Sequence, residues 1–465
     1  MNESPNGPDP TAAAPPSRSP VTAAYDGELT RSLGVGGNVL ITLSSISPAS
    51  SVFILGGAAL ALFGTGVFWA FLIAGVVSIL VAFCYAELAA AHPVAGGDYS
   101  LVSRALGPAA GVAVFVISLV SLPLIIAVFA LGVADYLGVV VAGLSTVHTA
   151  IVVVALTTVV ACFNIRANAW VTGVFLVVEM AALVLLTALG LLHVERPVSS
   201  LFTPQALDAG SGSLAPLALA GLMVAVTQGI FAYNGYGGAV YFAEETRNAS
   251  RAVAKAVIWS AAVTVLSEII PLTAIILGAS SLAGLFGAEL PVESFLSERA
   301  GQAISLIVLL AIAFAIINAV IAITLQAGRL LYSAARDRAL PDAVATPLRR
   351  VSRASRVPVV ATAVMGVLAL VACLVPLDVL LTATGSTLSF SYLFIALAAL
   401  AHRRSDRHRT DRAGYRMPWW PLPPLLVVVA LLVVFVVSLA DPTQHLSLAV
   451  ASGFVVLGFA YYLGY

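Results

Sequence analysis

The sequence predicts an all-α polytopic membrane protein of twelve transmembrane helices, and three observations carry that prediction. The 465 residues are 60% hydrophobic and only 9% charged, where an ordinary soluble domain carries about 25% charged residues. Mean hydropathy is +1.03. The few charges cluster, leaving charge-free windows long enough for membrane crossings. No ten-residue segments alternate apolar and polar side chains, which excludes a transmembrane β-barrel. So few charges cannot solvate the surface of a globule. Soluble enzyme, nucleic-acid-binding protein and disordered chain are therefore excluded together.

A helix needs about 20 apolar residues to cross roughly 30 Å of hydrocarbon. Residues 1–31 are rich in Pro, Ser and Ala and read as a disordered cytoplasmic tail, with no basic-then-apolar signal-peptide pattern. The twelve helices are then expected in one domain over 32–465. Window 32–86 holds no charge and suits two crossings, broken at Phe63-Gly64-Thr65-Gly66. Windows 105–134 and 136–165 give spans 3 and 4. Window 167–194 is span 5, interrupted by Glu179, and 209–243 is span 6. Window 256–288 is span 7, interrupted by Glu268, and 300–328 is span 8, continuing as helix past the membrane. Windows 357–377, 379–402, 417–440 and 442–465 are spans 9 to 12.

Orientation follows from the basic residues. With a cytoplasmic amino terminus, only Arg196 and Arg299 of the 22 basic residues lie outside. That asymmetry places both termini in the cytoplasm of a multi-pass cell-membrane protein. The Arg-rich run over 403–416 reads as a topology-setting inner loop in preference to an anionic-lipid or nucleic-acid patch. Cys84, Cys162 and Cys373 sit in separate spans and read as packing residues. Asn248-Ala249-Ser250 matches a glycosylation acceptor but falls on the inner face. No metal-binding motif, phosphate loop or paired catalytic set is present. No enzyme activity, metal, cofactor or nucleic-acid partner is expected, and the chain carries no signal of oligomeric state.

Two spans contain breaks. In span 1, Ser44-Ser45-Ile46-Ser47-Pro48-Ala49-Ser50-Ser51 places a proline at depth, where it removes an N–H and frees a carbonyl. The serines can solvate an unwound backbone there. Ser50 and Ser51 would open a second half-helix whose free N–H groups suit a carboxylate. In span 6, Phe231-Ala232-Tyr233-Asn234-Gly235-Tyr236-Gly237-Gly238 concentrates poor helix formers. Unwinding would free the carbonyls of Phe231, Ala232 and Tyr233 for an ammonium group. Each break alone is also compatible with a kinked packing helix. Their occurrence in the first spans of two five-span halves, 33–193 and 214–401, favours a midplane binding site.

These segments, with others, resemble the amino acid–polyamine–organocation (APC) family of permeases. The likeness is carried by Tyr85-Ala86-Glu87-Leu88, by Pro93 to Tyr99 followed by Arg104-Ala105-Leu106-Gly107, and by Phe231 to Tyr236 with Glu244 to Asn248. Arg329 to Pro341 and Arg412 to Pro421 continue it. The resemblance covers the chain from about Leu33 to Tyr465. It implies a LeuT-like inverted repeat of five plus five helices with two more at the end. It also implies secondary uptake of an amino acid or related amine by alternating access. Carried over, Ser47, Pro48, Ala49, Ser50 and Ser51 bind the substrate carboxylate. Phe231, Ala232, Asn234 and the adjoining Gly235 form the amine side, and Tyr233 and Tyr236 line or gate the pocket. Two departures stand out. The family's Gly-Ser-Gly type break is here Pro48-Ala49-Ser50-Ser51. The span 5 lysine of some proton-coupled members aligns near Glu179, so their coupling mechanism does not transfer.

Glu179 and Glu268 stand deep in spans 5 and 7, where an ionised carboxylate is costly. Glu179 reads equally as a proton-coupling site or as a packing carboxyl. For Glu268 the packing reading leads. Glu87, at the inner end of span 2, is a candidate gate paired with Arg329 or Arg336, or an interfacial anchor. The hydroxyl-rich run from Thr382 to Tyr392 reads as close helix packing in preference to a pathway lining. The leading expectation is a proton-linked permease whose partners are a small-molecule substrate, protons and the lipid bilayer. An exchanger is the alternative, with a channel or transporter-like nutrient sensor behind it. Backbone recognition at the breaks favours a neutral zwitterion.

Overall fold

In hydrocarbon every peptide group must be satisfied within its own segment, so apolar windows become helices. The computed structural model describes residues 33–464 apart from 95, 142, 164, 209, 406–413 and 441. The expected tail over 1–31 and most of the Arg-rich run over 403–416 lie outside the described residues.

Span 1 is α1 (Val35–Ile46), a turn at Pro48–Ser50, a π-helical turn at Ser51–Gly56, and α2 (Gly57–Phe63). Gly64, at φ 54°, then reverses the chain into α3 (Gly66–Ala91). The short α4 (Asp98–Leu106) leads to α5 (Pro108–Val140), α6 (Thr146–Ala161) and α7 (Ile165–Leu192). A two-stranded antiparallel hairpin, β1 (Gln205–Leu207) with β2 (Leu214–Pro216), precedes α8 (Leu219–Ala232). A 3-10 segment at Tyr236–Glu245 continues span 6. Then come α9 (Ala249–Gly278), α10 (Leu282–Gly287), α11 (Pro291–Ala300) and α12 (Gln302–Arg336). The chain finishes with α13 (Asp342–Leu348), α14 (Val359–Ala372), α15 (Leu377–Ser405), α16 (Leu422–Ala440) and α17 (His445–Gly464).

Among the described residues, nine helices are long and apolar enough to cross a membrane. The other three expected spans fall on shorter pieces. At 1.5 Å per residue, the 16 residues of α6 and the 14 of α14 reach only about 24 and 21 Å. Span 6 is divided between α8 and the 3-10 segment.

The outer surface is apolar, unlike a soluble protein's, while the mostly apolar core also holds a set of polar side chains. Leu425, Val429, Leu432 and Val436 of α16 face outward, as do Leu446, Val456 and Leu457 of α17. Inside lie Asn38, Ser44, Ser47, Ser50, Ser51, Asn318 and both deep glutamates. A hydrocarbon solvent explains the exposed apolar surface, and buried polar groups within the span-forming core mark candidate functional positions. α1 runs through the middle, packed by α7, α9, α12 and the 3-10 segment. Small residues let α7 and α9 approach closely, since a Cβ on Gly190 would sit 2.2 Å from the Ala274 carbonyl oxygen. That contact sets the two glutamate-bearing helices beside each other and beside the span 1 break.

Candidate functional site

The span 1 break forms where Pro48 removes a backbone donor. Its predecessor Ser47 takes φ 49°, and its N–H closes α1 on the Leu43 carbonyl at 2.9 Å. Beyond it, the π-helical turn widens the backbone, a feature common at functional sites. The Tyr136 hydroxyl, from α5, donates to the Phe53 carbonyl within that turn at 2.6 Å. The span 6 break follows α8, where Asn234 N–H turns back to the Phe231 carbonyl at 3.0 Å and Gly235 adopts φ 122°.

The breaks touch at two points. A Cβ on Gly235 would lie 2.6 Å from Ile46 Cγ1, so only glycine allows this approach. The Ser51 hydroxyl donates to the Ala232 carbonyl at 2.9 Å, across 181 positions of sequence.

Beside this junction is a cavity of about 20 Å³ lined by Ser45, Leu122, Ile125, Phe129, Phe231, Ala232, Asn234, Gly235, Ile323 and Gln326. A second cavity, about 40 Å³, shares Asn234, Gly235 and Gln326 and extends to Asp98. Toward the opposite face opens a vestibule of about 450 Å³, floored by Phe53, Ile54 and Tyr136 and rimmed by Asp135, Glu289 and Pro291.

Of the residues expected from the sequence, Phe231, Ala232, Asn234 and Gly235 line the central cavity. Ser47, Pro48, Ala49, Ser50 and Ser51 are buried at the break beside it, and the Ser47 and Ser50 hydroxyls bond to each other. Tyr233 and Tyr236 are not among the lining. Tyr233 packs on Phe71 with ring centroids 5.5 Å apart, while Tyr236 stacks on Tyr392 at 5.9 Å. Nor are the span 6 carbonyls all free: Phe231 accepts from Asn234 and Ala232 from Ser51. Sequence reading missed Leu122, Ile125, Phe129, Ile323 and Gln326, and it placed Ser45 in the span 1 break without assigning it to the site. Among the missed residues, the readable signal was the amide of Gln326 in a mostly apolar span.

Both deep glutamates are fully buried and turn toward the span 1 break. The Glu179 carboxyl faces the Ser47 hydroxyl and the Ala49 N–H, the donors at the start of the second half-helix. The Glu268 carboxyl faces the Ser51 hydroxyl, with Tyr233 also beside it. None of the four carboxyl oxygens reaches hydrogen-bond geometry with a partner among the described residues.

The face where α1 begins is held by ion pairs. Glu87 pairs with Arg403, Nε to Oε1 at 2.5 Å and Nη2 to Oε2 at 2.7 Å, and accepts the Met417 N–H at 2.7 Å. This corrects the expected pairing of Glu87 with Arg329 or Arg336. Those two arginines lie on α12 and are taken by the two acids that end span 6. Arg329 meets Glu245 at 2.7 Å, and Arg336 meets Glu244 at 2.9 and 3.0 Å. At the same face the carboxyl of Asp98, first in α4, lies beside the Tyr85 hydroxyl; burial pushes its pKa up to about 6.

Comparison with known proteins gives the family. The sequence profile of the family described as amino acid permease matches residues 34–461. The chain is 23% identical over 433 residues to a branched-chain amino acid permease of Bacillus subtilis, covering 88% of each chain. It is 23% identical over 409 residues to a protein of the same description from Lactococcus lactis, covering 83% of this chain and 85% of the relative. A chloroplastic cationic amino acid transporter of Arabidopsis thaliana is 25% identical over 406 residues, covering 83% of this chain and 65% of the relative.

Proposed function

The chain belongs to the amino acid permease family, and from that premise we propose that it is a secondary active transporter taking up a neutral aliphatic amino acid together with protons. The observation that carries this reading is the meeting of two broken helices at one small cavity with aliphatic and aromatic walls. Broken spans at matching positions of two halves are where transporters of this kind bind substrate. Nine long helices, two short apolar ones and the divided span 6 are read as twelve crossings in two five-helix repeats plus two. The excess of basic residues at the face where α1 begins supports reading that face as cytoplasmic.

Ser47 to Ser51 offer hydroxyls and half-helix N–H groups to the substrate carboxylate, and the Phe231 to Gly235 segment offers carbonyls and the Asn234 amide to its ammonium. Leu122, Ile125, Phe129, Phe231 and Ile323 suit an aliphatic side chain. Two relatives are described as branched-chain amino acid permeases. The central cavity has room for about one water, so these walls must part to admit substrate. The ion pairs of Glu87, Arg329 and Arg336 close the cytoplasmic side, while the 450 Å³ vestibule opens outward. Alternating access exchanges these two conditions.

Glu179 supplies the coupling. As a carboxylate it competes with the substrate carboxylate for the Ser47 hydroxyl and the Ala49 N–H. Protonation cancels its charge and weakens its hold on those donors, so proton and substrate bind cooperatively.

A second reading, a cationic amino acid as substrate, draws on Asp98 in the adjoining cavity and on the description of the Arabidopsis relative. Proteoliposomes holding the purified protein test both. Saturable L-leucine uptake, increased by an inward proton gradient, is expected. Uptake of L-arginine but not leucine would move the assignment to the cationic class. Leucine uptake that requires internal amino acid would make the protein an exchanger, and unsaturable flux would make it a channel.

A further inference from the structure

We propose that Glu268 is a proton-binding residue that governs the Ser51–Ala232 hydrogen bond, and through it the tie between the two broken helices. The proposal deepens the transport reading and rests on it for its consequence, but its chemistry stands on side chains already placed. Glu268 sits in the middle of α9 and is fully buried. Neither of its carboxyl oxygens has a hydrogen-bond partner among the described residues, and the Tyr233 hydroxyl beside it is unpartnered too. A buried carboxyl that meets a serine hydroxyl and has no hydrogen-bonded cation among the described residues is an unusual feature in a membrane interior.

A single proton decides which acceptor Ser51 serves. The Ser51 hydroxyl has one hydrogen to donate and lone pairs with which to accept. It lies between the Ala232 carbonyl and the Glu268 carboxyl. When Glu268 carries a proton, its O–H can donate to Ser51 Oγ, and Ser51 keeps donating to Ala232. The result is a chain from Glu268 through Ser51 to Ala232. When Glu268 is ionised it can only accept, and the Ser51 hydrogen is the donor that span 1 presents to it. Turning that hydrogen to the carboxylate abandons Ala232. Proton occupancy of Glu268 and the link between the two breaks are therefore thermodynamically coupled. The proton released goes to water when the surrounding helices part.

On its own helix, one turn before Glu268, the buried Thr264 hydroxyl also has no partner among the described residues. Tyr233 is the titratable group facing it from the span 6 break. From α7, Glu179 is directed at Ser47 instead. From α3, Phe71 packs on the Tyr233 ring and Gly75 lies against Val265 and Tyr233; none of these adds charge. From span 1, Ser51 is the polar group it meets. The site thus differs from that of Glu179. Glu179 addresses the start of the half-helix, whereas Glu268 addresses the bond that joins spans 1 and 6.

The test uses full-length protein in lipid, with two readouts. The first is infrared difference spectroscopy between neutral and alkaline pH, which needs no transported substrate. A protonated-carboxyl C=O band is expected at neutral pH in the wild type. The Glu268 component should be lost in Glu268→Gln while the Glu179 component remains; in Glu179→Gln the Glu268 component should persist with at most a shift, and in Ser51→Ala it should shift. Ser51→Thr, which keeps the hydroxyl, should restore the wild-type frequency. A spectrum unchanged by Glu268→Gln overturns the proposal.

The second readout is L-leucine transport. Glu268→Gln should lose at least tenfold in accumulation driven by a pH gradient while losing far less in counterflow. Equal accumulation by wild type and Glu268→Gln overturns the coupling role. Absence of leucine counterflow in the wild type would instead count against the substrate assignment, and the infrared band would still decide the state of Glu268.

Discussion

Arg329 of α12 donates through Nε to Glu245 at 2.7 Å, at a point where the arginine is only 1% exposed. The guanidinium also bonds the Leu325 carbonyl at 3.0 Å and lies 4.8 Å from the centre of the Phe242 ring. A buried pair of this kind binds its two elements in one arrangement, here the 3-10 half of span 6 and α12. Removing one partner leaves an uncompensated buried charge, which costs about 3–5 kcal/mol. Arg329→Met should therefore lower the thermal unfolding midpoint of the detergent-solubilised protein markedly. The double variant Arg329→Met, Glu245→Leu should recover most of that loss. A double variant no more stable than the single one would show that the arginine acts through packing alone.

Asp98 makes a prediction about pH. Burial raises its folded-state pKa to about 6, against an ordinary value of 3.8. The folded protein therefore binds more protons than the unfolded chain between those values, and stability falls as pH rises through that window. Below the lower value both states are protonated, and the penalty vanishes. Above the upper value it is complete, at most about 3 kcal/mol at 1.36 kcal/mol per pKa unit. Asp98→Asn should remove this dependence, making the variant relatively more stable at neutral pH and little different near pH 4. Unfolding midpoints across that range measure it, and parallel curves for the two proteins would refute it.

Gly235 tests whether the junction of the breaks must be as close as it is. Its φ of 122° and the 2.6 Å separation from Ile46 that a Cβ would have act in the same direction. Backbone strain at such a position costs about 1–3 kcal/mol, and the overlap with Ile46 adds to it. Gly235→Ala should still reach the membrane yet lose uptake by more than tenfold. Gly453→Ala in α17, where a Cβ meets nothing within 4 Å, should transport normally. Uptake unaffected by Gly235→Ala would mean that the helices do not meet this closely during transport.

What the sequence revealed and concealed follows from the range of each interaction. Helix breaks are local, so Pro48 and Gly235 announced them through a missing donor and a permissive φ. Charge spacing announced the spans for the same reason. Partner choice is not local: Glu87 reaches Arg403 across 316 positions, and no short-range pattern distinguishes Arg403 from Arg329. Cavity walls such as Leu122 and Phe129 are apolar residues in apolar spans, so composition could not mark them. Tyr233 and Tyr236 sit at the break itself, where the chain leaves helical geometry, so their direction could not be read from helical periodicity. The β1–β2 hairpin was hidden for another reason. Its two strands have three residues each, too few to show an alternating pattern.

Glu179 brings the last prediction, and the sharpest for mechanism. Its carboxyl faces the Ser47 hydroxyl and the Ala49 N–H, the donors proposed for the substrate carboxylate. If ionised Glu179 competes for them, Glu179→Gln mimics the protonated form and removes the competition at every pH. Substrate affinity measured by counterflow should then become independent of pH and match the wild-type value at acid pH. Accumulation against a gradient should fall at least tenfold, because the variant has no proton to exchange at that position. Glu179→Asp withdraws the carboxyl by one methylene but keeps its charge, so it should weaken coupling without abolishing the pH dependence. A Glu179→Gln protein whose counterflow affinity still rises toward acid pH as in the wild type would place the responsible proton elsewhere. Because Glu268 faces Ser51 rather than Ser47, combining the Gln variants at both positions then separates the two contributions.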